Sequence, residues 1–163
     1  MSKRMVNTIL ILALLLLVLQ NLSFFYKARQ SQQAKLPGLV EGRLAPCGSR
    51  PNCVSSEPGT DPQHLIEAFD IAKLFPALTA EQALAKLAQQ LERLGGKALK
   101  QQPDYRGFEF HSRWYGFVDD VELRLDPDRR LIHIRSASRV GYSDLGANRR
   151  RVEALRAGLS RPD

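Results

Sequence analysis

The chain is poor in the residues and motifs that most often carry chemistry. Its 163 residues include two cysteines, three histidines and one tryptophan. No P-loop, no Gly-x-Gly-x-x-Gly and no His-Glu-x-x-His is present, which weakens the case for the familiar nucleotide-, dinucleotide- and zinc-dependent enzymes. Acidic residues are missing from residues 1–39, which hold five bases. The middle, 40–128, is acidic, with ten bases against fourteen acids, and 129–163 sets nine arginines against three acids. The formal charge of +7 is therefore not spread evenly, and a uniformly basic nucleic-acid coat is excluded. Nor do stacking aromatics interleave with the arginines, so no nucleic-acid partner is expected. With 44% hydrophobic residues the chain is not a disordered one. No cofactor is implied.

What is present begins with a long apolar run. Met5 to Tyr26 is 22 residues without a charge, enough for a helix to span a bilayer. Lys3 and Arg4 precede it as in a signal peptide, but Ser23-Phe24-Phe25-Tyr26 is too bulky for a cleavage site and suits an interfacial aromatic anchor. Residues 1–26 are thus expected to form an uncleaved signal anchor, a transmembrane helix, with 27–45 as a polar tether and 46–163 as the folded domain. Basic residues on the two flanks nearly balance, so they do not set the orientation. Cys47 and Cys53 lie close together in a Gly- and Pro-containing loop, and such a pair behind a secretory-type segment favours a disulfide in an oxidising compartment, with two reduced thiols the alternative. This gives a single-pass membrane protein with its N-terminus inside, expected in the bacterial inner membrane with the C-terminal domain in the periplasm.

The exported part reads as α+β. Residues 46–62 hold four Pro, two Gly and four Ser or Thr and should form an irregular loop. Thr79-Ala80-Glu81-Gln82 is a capping box, Leu84, Leu87, Leu91 and Leu94 form one helical stripe, and Gly95-Gly96 ends it. The period then falls to two, through Phe108 and Phe110, then Val121, Leu123 and Leu125, then Ile132 and Ile134. Asp126-Pro127-Asp128-Arg129 turns the last two runs into a hairpin. A four-residue loop there would set Leu123 beside Ile132, Val121 beside Ile134, Glu122 beside His133 and Asp120 beside Arg135. A last helix over 144–159 is expected to bury Leu145, Val152, Leu155 and Leu159. The architecture is a two-layer domain, an antiparallel β-sheet with helices packed on one face.

The densest chemistry lies in residues 135–151, which leave a strand, pass through a Ser- and Gly-rich loop and enter a helix. Such a junction offers backbone N–H groups and a helix dipole to an anion, and arginines add planar forks. One reading is an anion site with Arg135 and Arg139 as clamps and Ser136, Ser138, Ser143, Asn148 and Arg149 around it. The other is a structural network in which the arginines pair with Asp119, Asp120 and Glu122 while Asp144 or Ser143 caps the helix. Arg149, Arg150 and Arg151 split around the helix and read as a solvated face, with Glu153 at ion-pair spacing from Arg149; the alternative is attraction to lipid headgroups beside a membrane anchor. A metal held by Asp119, Asp120, Glu122 and His133 is disfavoured, because Asp119 and Asp120 face opposite sides of a strand; no metal is expected. A nucleophilic Cys53 served by His64 or His111 would be consumed by a disulfide. Trp114-Tyr115 reads as core or sheet edge.

Three spaced motifs carry a family resemblance. Pro51-Asn52-Cys53-Val54-Ser55-Ser56, Phe117-Val118-Asp119-Asp120-Val121-Glu122 and the run from Arg135 to Gly146 with Asn148-Arg149 resemble the family known as domain of unknown function fourteen-ninety-nine, over about residues 44–159. The resemblance implies a signature of Cys47, Pro51, Asn52, Cys53 and Ser55; of Asp119, Asp120 and Glu122; and of Arg135, Ser136, Ser138, Arg139, Asp144, Gly146, Asn148 and Arg149. It implies no activity. The expected function is a membrane-anchored envelope module binding a small anion, a lipid headgroup or a protein partner. The alternative is a hydrolase or transferase using Ser55, Cys53 or the Asp119/Asp120 carboxylates.

Overall fold

The uncharged run folds into α1, Lys3–Gln33, in a computed structural model that describes residues 2–159. Met1 of the expected anchor and residues 160–163 of the expected domain lie outside the described residues. At 1.5 Å per residue α1 is ~46 Å long, and it is the one helix among the described residues long and apolar enough to cross a membrane. Residues 27–33, read from sequence as the start of a tether, instead continue the helix and pack on the domain. Ala28 and Ser31 are buried, and Ser31 Oγ accepts the amide N–H of Val118 at 3.1 Å. Polarity misled here, because the polar side chains of this last stretch satisfy the domain's backbone rather than water: Gln32 Nε2 donates to the Gly116 carbonyl at 3.0 Å.

A short hairpin follows, β1 (Leu39–Val40) with β2 (Arg43–Leu44). Its two turn residues, Glu41 and Gly42, have φ of 51° and 76°, the left-handed pair that matches the twist of a two-residue hairpin. The main sheet is antiparallel. In it β3 (Cys53–Ser55) lies against β8 (Leu131–Ser138), then come β7 (Val118–Asp126), β6 (Tyr105–His111) and β5 (Lys97–Gln102). A two-residue β4 (Phe69–Asp70) shares the outer edge of β8 with β3 and leads into the single turn α2 (Ile71–Leu74). The polar sequence of β5 concealed an edge strand: all of its residues but the half-buried Ala98 are exposed, and it pairs with β6 on one side.

One face of the sheet carries α3 (Ala80–Arg93) and α4 (Ala147–Leu159). Thr79 and Gln82 make both bonds of the capping box, and the buried Leu84, Leu87 and Leu91 meet Phe108, Val121, Leu123, Ile132 and Ile134. Each such buried leucine contributes about 2 kcal/mol of transfer free energy. The α+β class and the helices on one face are as the sequence led one to expect.

The hairpin register differs from the expected one by two residues. Leu123 pairs with Ile134, Leu125 with Ile132, Glu122 with Arg135 and Arg124 with His133. Asp126 belongs to the strand, pairing with Leu131, and the reversal falls on residues 127–130, with Arg130 at φ 53°. A slip of two keeps every side chain on its face, so hydrophobic alternation did not distinguish the two registers. The last helix starts at Ala147 rather than 144. Leu145, expected in the core, is exposed at φ 53°. Asp144 explains the delay: its carboxylate accepts the N–H groups of Gly146 and Asn148 at 2.9 and 2.7 Å, an N-terminal cap set outside the helix.

Candidate functional site

The three sequence motifs become three adjacent strand edges. The first, on β3, pairs with the third, on β8 (Cys53 with Ala137, Ser55 with Arg135), and β8 pairs with the second, on β7 (Asp119 with Ser138). Cys47 and Cys53 are joined by a disulfide, Cα atoms 5.7 Å apart, which ties the preceding loop to the β3 edge. The first motif therefore lies beside the third in the sheet and one strand away from the second.

Alternation along β7 divides its acids between two faces. Asp119 points to the helix layer, where Arg151 Nη2 donates to it at 2.7 Å. Asp120 and Glu122 point to the opposite face and are buried there. Arg139 Nη2 lies 2.7 Å from Asp120 and its Nη1 donates to the Ser31 carbonyl at 3.1 Å. Glu122 receives Arg135 Nη1 at 3.0 Å, the Tyr105 hydroxyl at 2.7 Å and the Gly38 amide at 3.0 Å. Burial pushes the carboxyls of Asp120 and Glu122 above their ordinary range, opposed by these donors. The Tyr105 phenol is driven upward by burial and by Glu122, so it stays a donor. Of the two readings of Arg135 and Arg139, clamps on an anion or members of a structural network, the geometry has the pairs of the second: each is closed on a carboxylate of the protein itself. The physical reason is register: Glu122 stands directly across from Arg135.

Asn148 is likewise withdrawn from any open surface. It is fully buried at the start of α4, where Oδ1 accepts Ser136 Oγ at 2.6 Å and Arg151 Nη1 at 2.5 Å. Its Nδ2 donates to the Asn52 carbonyl and to Ser138 Oγ, both at 3.1 Å. One amide thereby joins the first and third motifs. Ser136 and Ser138, expected to face a ligand, face Asn148. Ser143 is exposed and accepts the Leu145 amide at 3.1 Å.

The candidate nucleophiles are also engaged. Cys53 is in the disulfide, Ser55 is buried and accepts the Glu57 amide at 3.2 Å, and Asp120 is paired with Arg139. The four-residue metal set does not converge: its carboxylates lie on two faces, and each is engaged by its own arginine. His133 is buried with Nδ1 donating to the Ser56 carbonyl at 2.9 Å.

Sequence reasoning passed over Glu57, Arg124 and Tyr105. Arg124 Nε and Nη2 form a fork on the Glu57 carboxylate at 2.6 and 3.0 Å, while Glu57 also accepts the Leu44 amide at 3.0 Å. Burial raises the Glu57 carboxyl, but the Arg124 fork and the Leu44 N–H outweigh it and hold it below its ordinary value. No local spacing connects residues 67 positions apart; only the sheet brings them together.

An open cleft of about 220 Å3 remains at the rim of this network. It lies between the start of β3, the Gln63–His64 turn and the first turns of α4, and is lined among others by His64, Asp144, Arg149, Arg150 and Glu153. His64 is buried with Nδ1 donating to the Cys53 carbonyl at 2.9 Å, which leaves Nε2 as the acceptor for the Gln63 amide. Arg149 donates to the Gln63 and Leu65 carbonyls and Arg150 to the Leu145 carbonyl; neither makes an ion pair among the described residues.

These paired motifs span the region that a family model matches, residues 43–159, under the description protein of unknown function (DUF1499). The chain belongs to this family. In DUF1499 terms, the matched part contains the whole sheet, α3, α4 and the cleft, while α1 precedes it. The description assigns the DUF1499 family no activity. No curated protein matches the chain.

Proposed function

We propose that the protein is a membrane-anchored binding module of the cell envelope, with α1 in the inner membrane, the DUF1499 domain on the oxidising, periplasmic side, and a small anionic group as ligand of the Arg149–Arg150 cleft. One observation carries the ligand reading. Arg135, Arg139 and Arg151 are each paired with a carboxylate, whereas among the described residues Arg149 and Arg150 hydrogen-bond backbone carbonyls and make no ion pair at the edge of an open cleft. A guanidinium has five N–H donors, and carbonyls occupy only part of that set here. Two acids also line the cleft: Asp144, whose carboxylate is engaged as the cap of α4, and Glu153 on the next turn of that helix. The Cys47–Cys53 disulfide supports the oxidising compartment. The hydrolase or transferase reading has less support, since each of its nucleophiles is buried, bonded or paired.

The test is a titration of the full-length protein in detergent micelles with inorganic phosphate, glycerol phosphate as a headgroup probe, and succinate. A ligand at a hundred times its Kd raises stability by about 2.7 kcal/mol, visible as a higher Tm. One of the three probes is expected to raise the Tm of the native protein and to lose that effect in Arg149→Ala/Arg150→Ala. If no anion acts, or the double variant responds as the native protein does, the cleft is not an anion site.

A further inference from the structure

Apolar surface that the domain leaves uncovered gathers at one end of the sheet. Outside α1, the three most exposed large apolar side chains are Trp114 (85% exposed), Leu145 (85%) and Tyr142 (72%). All three lie in the β6–β7 and β8–α4 loops, at the sheet end where Asp119 pairs with Ser138. Trp114 was expected in the core or at a sheet edge; it stands on a loop tip instead.

Contacts with α1 fix where that end sits. The Tyr115 hydroxyl donates to Asn21 Oδ1 at 2.8 Å, and the Tyr115, Phe117 and Phe24 rings cluster with centroids 5.4 to 6.4 Å apart. Asn21 lies inside the uncharged run, five residues before its end at Tyr26. At 1.5 Å per residue the Tyr115 hydroxyl is therefore ~7.5 Å further toward the apolar centre of α1 than Tyr26. That is the depth of the headgroup and upper acyl region, where Trp and Tyr concentrate. The β8–α4 loop lies at a matching level: a groove of about 370 Å3 runs between Phe24 and Lys27 of α1 and the Tyr142, Ser143 and Leu145 stretch. Leu145 adopts the left-handed conformation, unfavourable for a side chain that bears a Cβ, and yet presents its apolar group outward. Arg113 stacks on the Trp114 ring at 5.7 Å and, with Lys27, supplies cations suited to phosphate esters at that level.

We propose that these two loops are a membrane-docking face: Trp114, Tyr142 and Leu145 insert into the lipid leaflet that α1 enters, so the domain rests on the bilayer surface and does not hang from a flexible stalk. The occupant is lipid, because the face is continuous with the helix that lipid surrounds. This rests on α1 residing in a membrane and goes beyond it. The anion cleft at Arg149 is not needed for it.

Trp114 is the sole tryptophan, so its fluorescence reports on this loop alone. The full-length protein is reconstituted into phosphatidylcholine–phosphatidylglycerol vesicles and washed with alkaline carbonate. Retention in the vesicles supports the anchor; release overturns the anchor and the docking face together. For retained protein, the expected results are blue-shifted Trp114 emission, loss of most of its intensity with lipids brominated near the carbonyl end of the acyl chain, and weak quenching by aqueous acrylamide. Tyr142→Ser/Leu145→Ser should reduce the bromolipid quenching at least twofold while the protein stays integral. Retained protein whose Trp114 emits as in water, yields to acrylamide and ignores brominated lipid overturns the docking face and leaves the anchor standing.

Discussion

Arg139 reaches Asp120 and the Ser31 carbonyl with the same guanidinium, 2.7 Å from the first and 3.1 Å from the second. The pair is almost wholly buried, and with the Ser31 bond it fastens the end of α1 to the sheet, as in the structural-network reading of Arg139. Breaking a buried pair by removing one partner costs about 3–5 kcal/mol, because the remaining charge is left unpaired in a low dielectric. Arg139→Met should lose that much in denaturant unfolding of the full-length protein. Asp120→Asn, which keeps an acceptor oxygen, should lose less. Equal and small losses in both would show that the pair does not hold the helix.

Asn148 has a different energetic character, since its side chain bonds neutral groups apart from the donor it receives from Arg151. Asn148→Ala removes the acceptor of the Ser136 hydroxyl, the donor to Ser138 Oγ and one of two donors to the Asn52 carbonyl, which keeps the Ser138 amide. At about 1–3 kcal/mol for each unsatisfied buried group, with partial relaxation, a loss of about 3 kcal/mol is expected. Arg149→Ala should leave stability nearly unchanged, because its guanidinium bonds exposed carbonyls. The contrast, read from the midpoints of unfolding curves, separates a fastening residue from a binding one.

The Cys47–Cys53 link closes a loop of sequence separation 6. Loop-closure entropy for so short a loop gives about 2 kcal/mol. Cys47→Ser/Cys53→Ser, or reduction of the native protein, should lower the unfolding free energy by that amount without dissolving the sheet, whose β7–β8 and β6–β7 ladders do not pass through the bridge.

Acid should act through Glu57. Its folded carboxyl lies below the ordinary value of 4.5, so it is ionised more readily in the folded state than in the unfolded chain. The stability this confers is present above the unfolded value and is lost as pH falls through the folded one. Glu57→Gln should therefore be less stable than the native protein at neutral pH, and the gap should narrow in unfolding curves taken below about pH 4. Asp120 and Glu122, raised by burial, have the opposite sign: their protonation favours the folded state as pH falls. A gap that widens in acid would refute the assignment to Glu57.

Much of the architecture was legible in the residues. Thr79 to Gln82 declared the start of α3 because a capping box is local chemistry, and the alternation through Leu123 and Ile134 declared a strand pair because burying one face imposes period two. Register was not legible, since a slip of two preserves the same faces. The polar β5 carries no alternation because nearly all of its residues are exposed, and Leu145 lies outside the core because Asp144 caps the helix from outside it. Among site residues, the acids of the second motif and the arginines of the third could be matched as a charge-balanced set. Their individual partners could not, for strand pairing and helix docking choose among them.

By itself the sequence determined the apolar helix, the α+β domain, the disulfide-spaced cysteines and the family, because each depends on residues close together in the chain or on a pattern repeated along it. Tertiary structure decided which arginines are paired with a carboxylate. Arg135, Arg139 and Arg151 meet carboxylates brought to them by β7, while Arg149 and Arg150, on the same short stretch of chain, meet only carbonyls at an open rim. It also decided that Trp114 and Leu145 face outward beside α1. Electrostatic pairing and exposure depend on distances across the fold, which no spacing along the chain encodes.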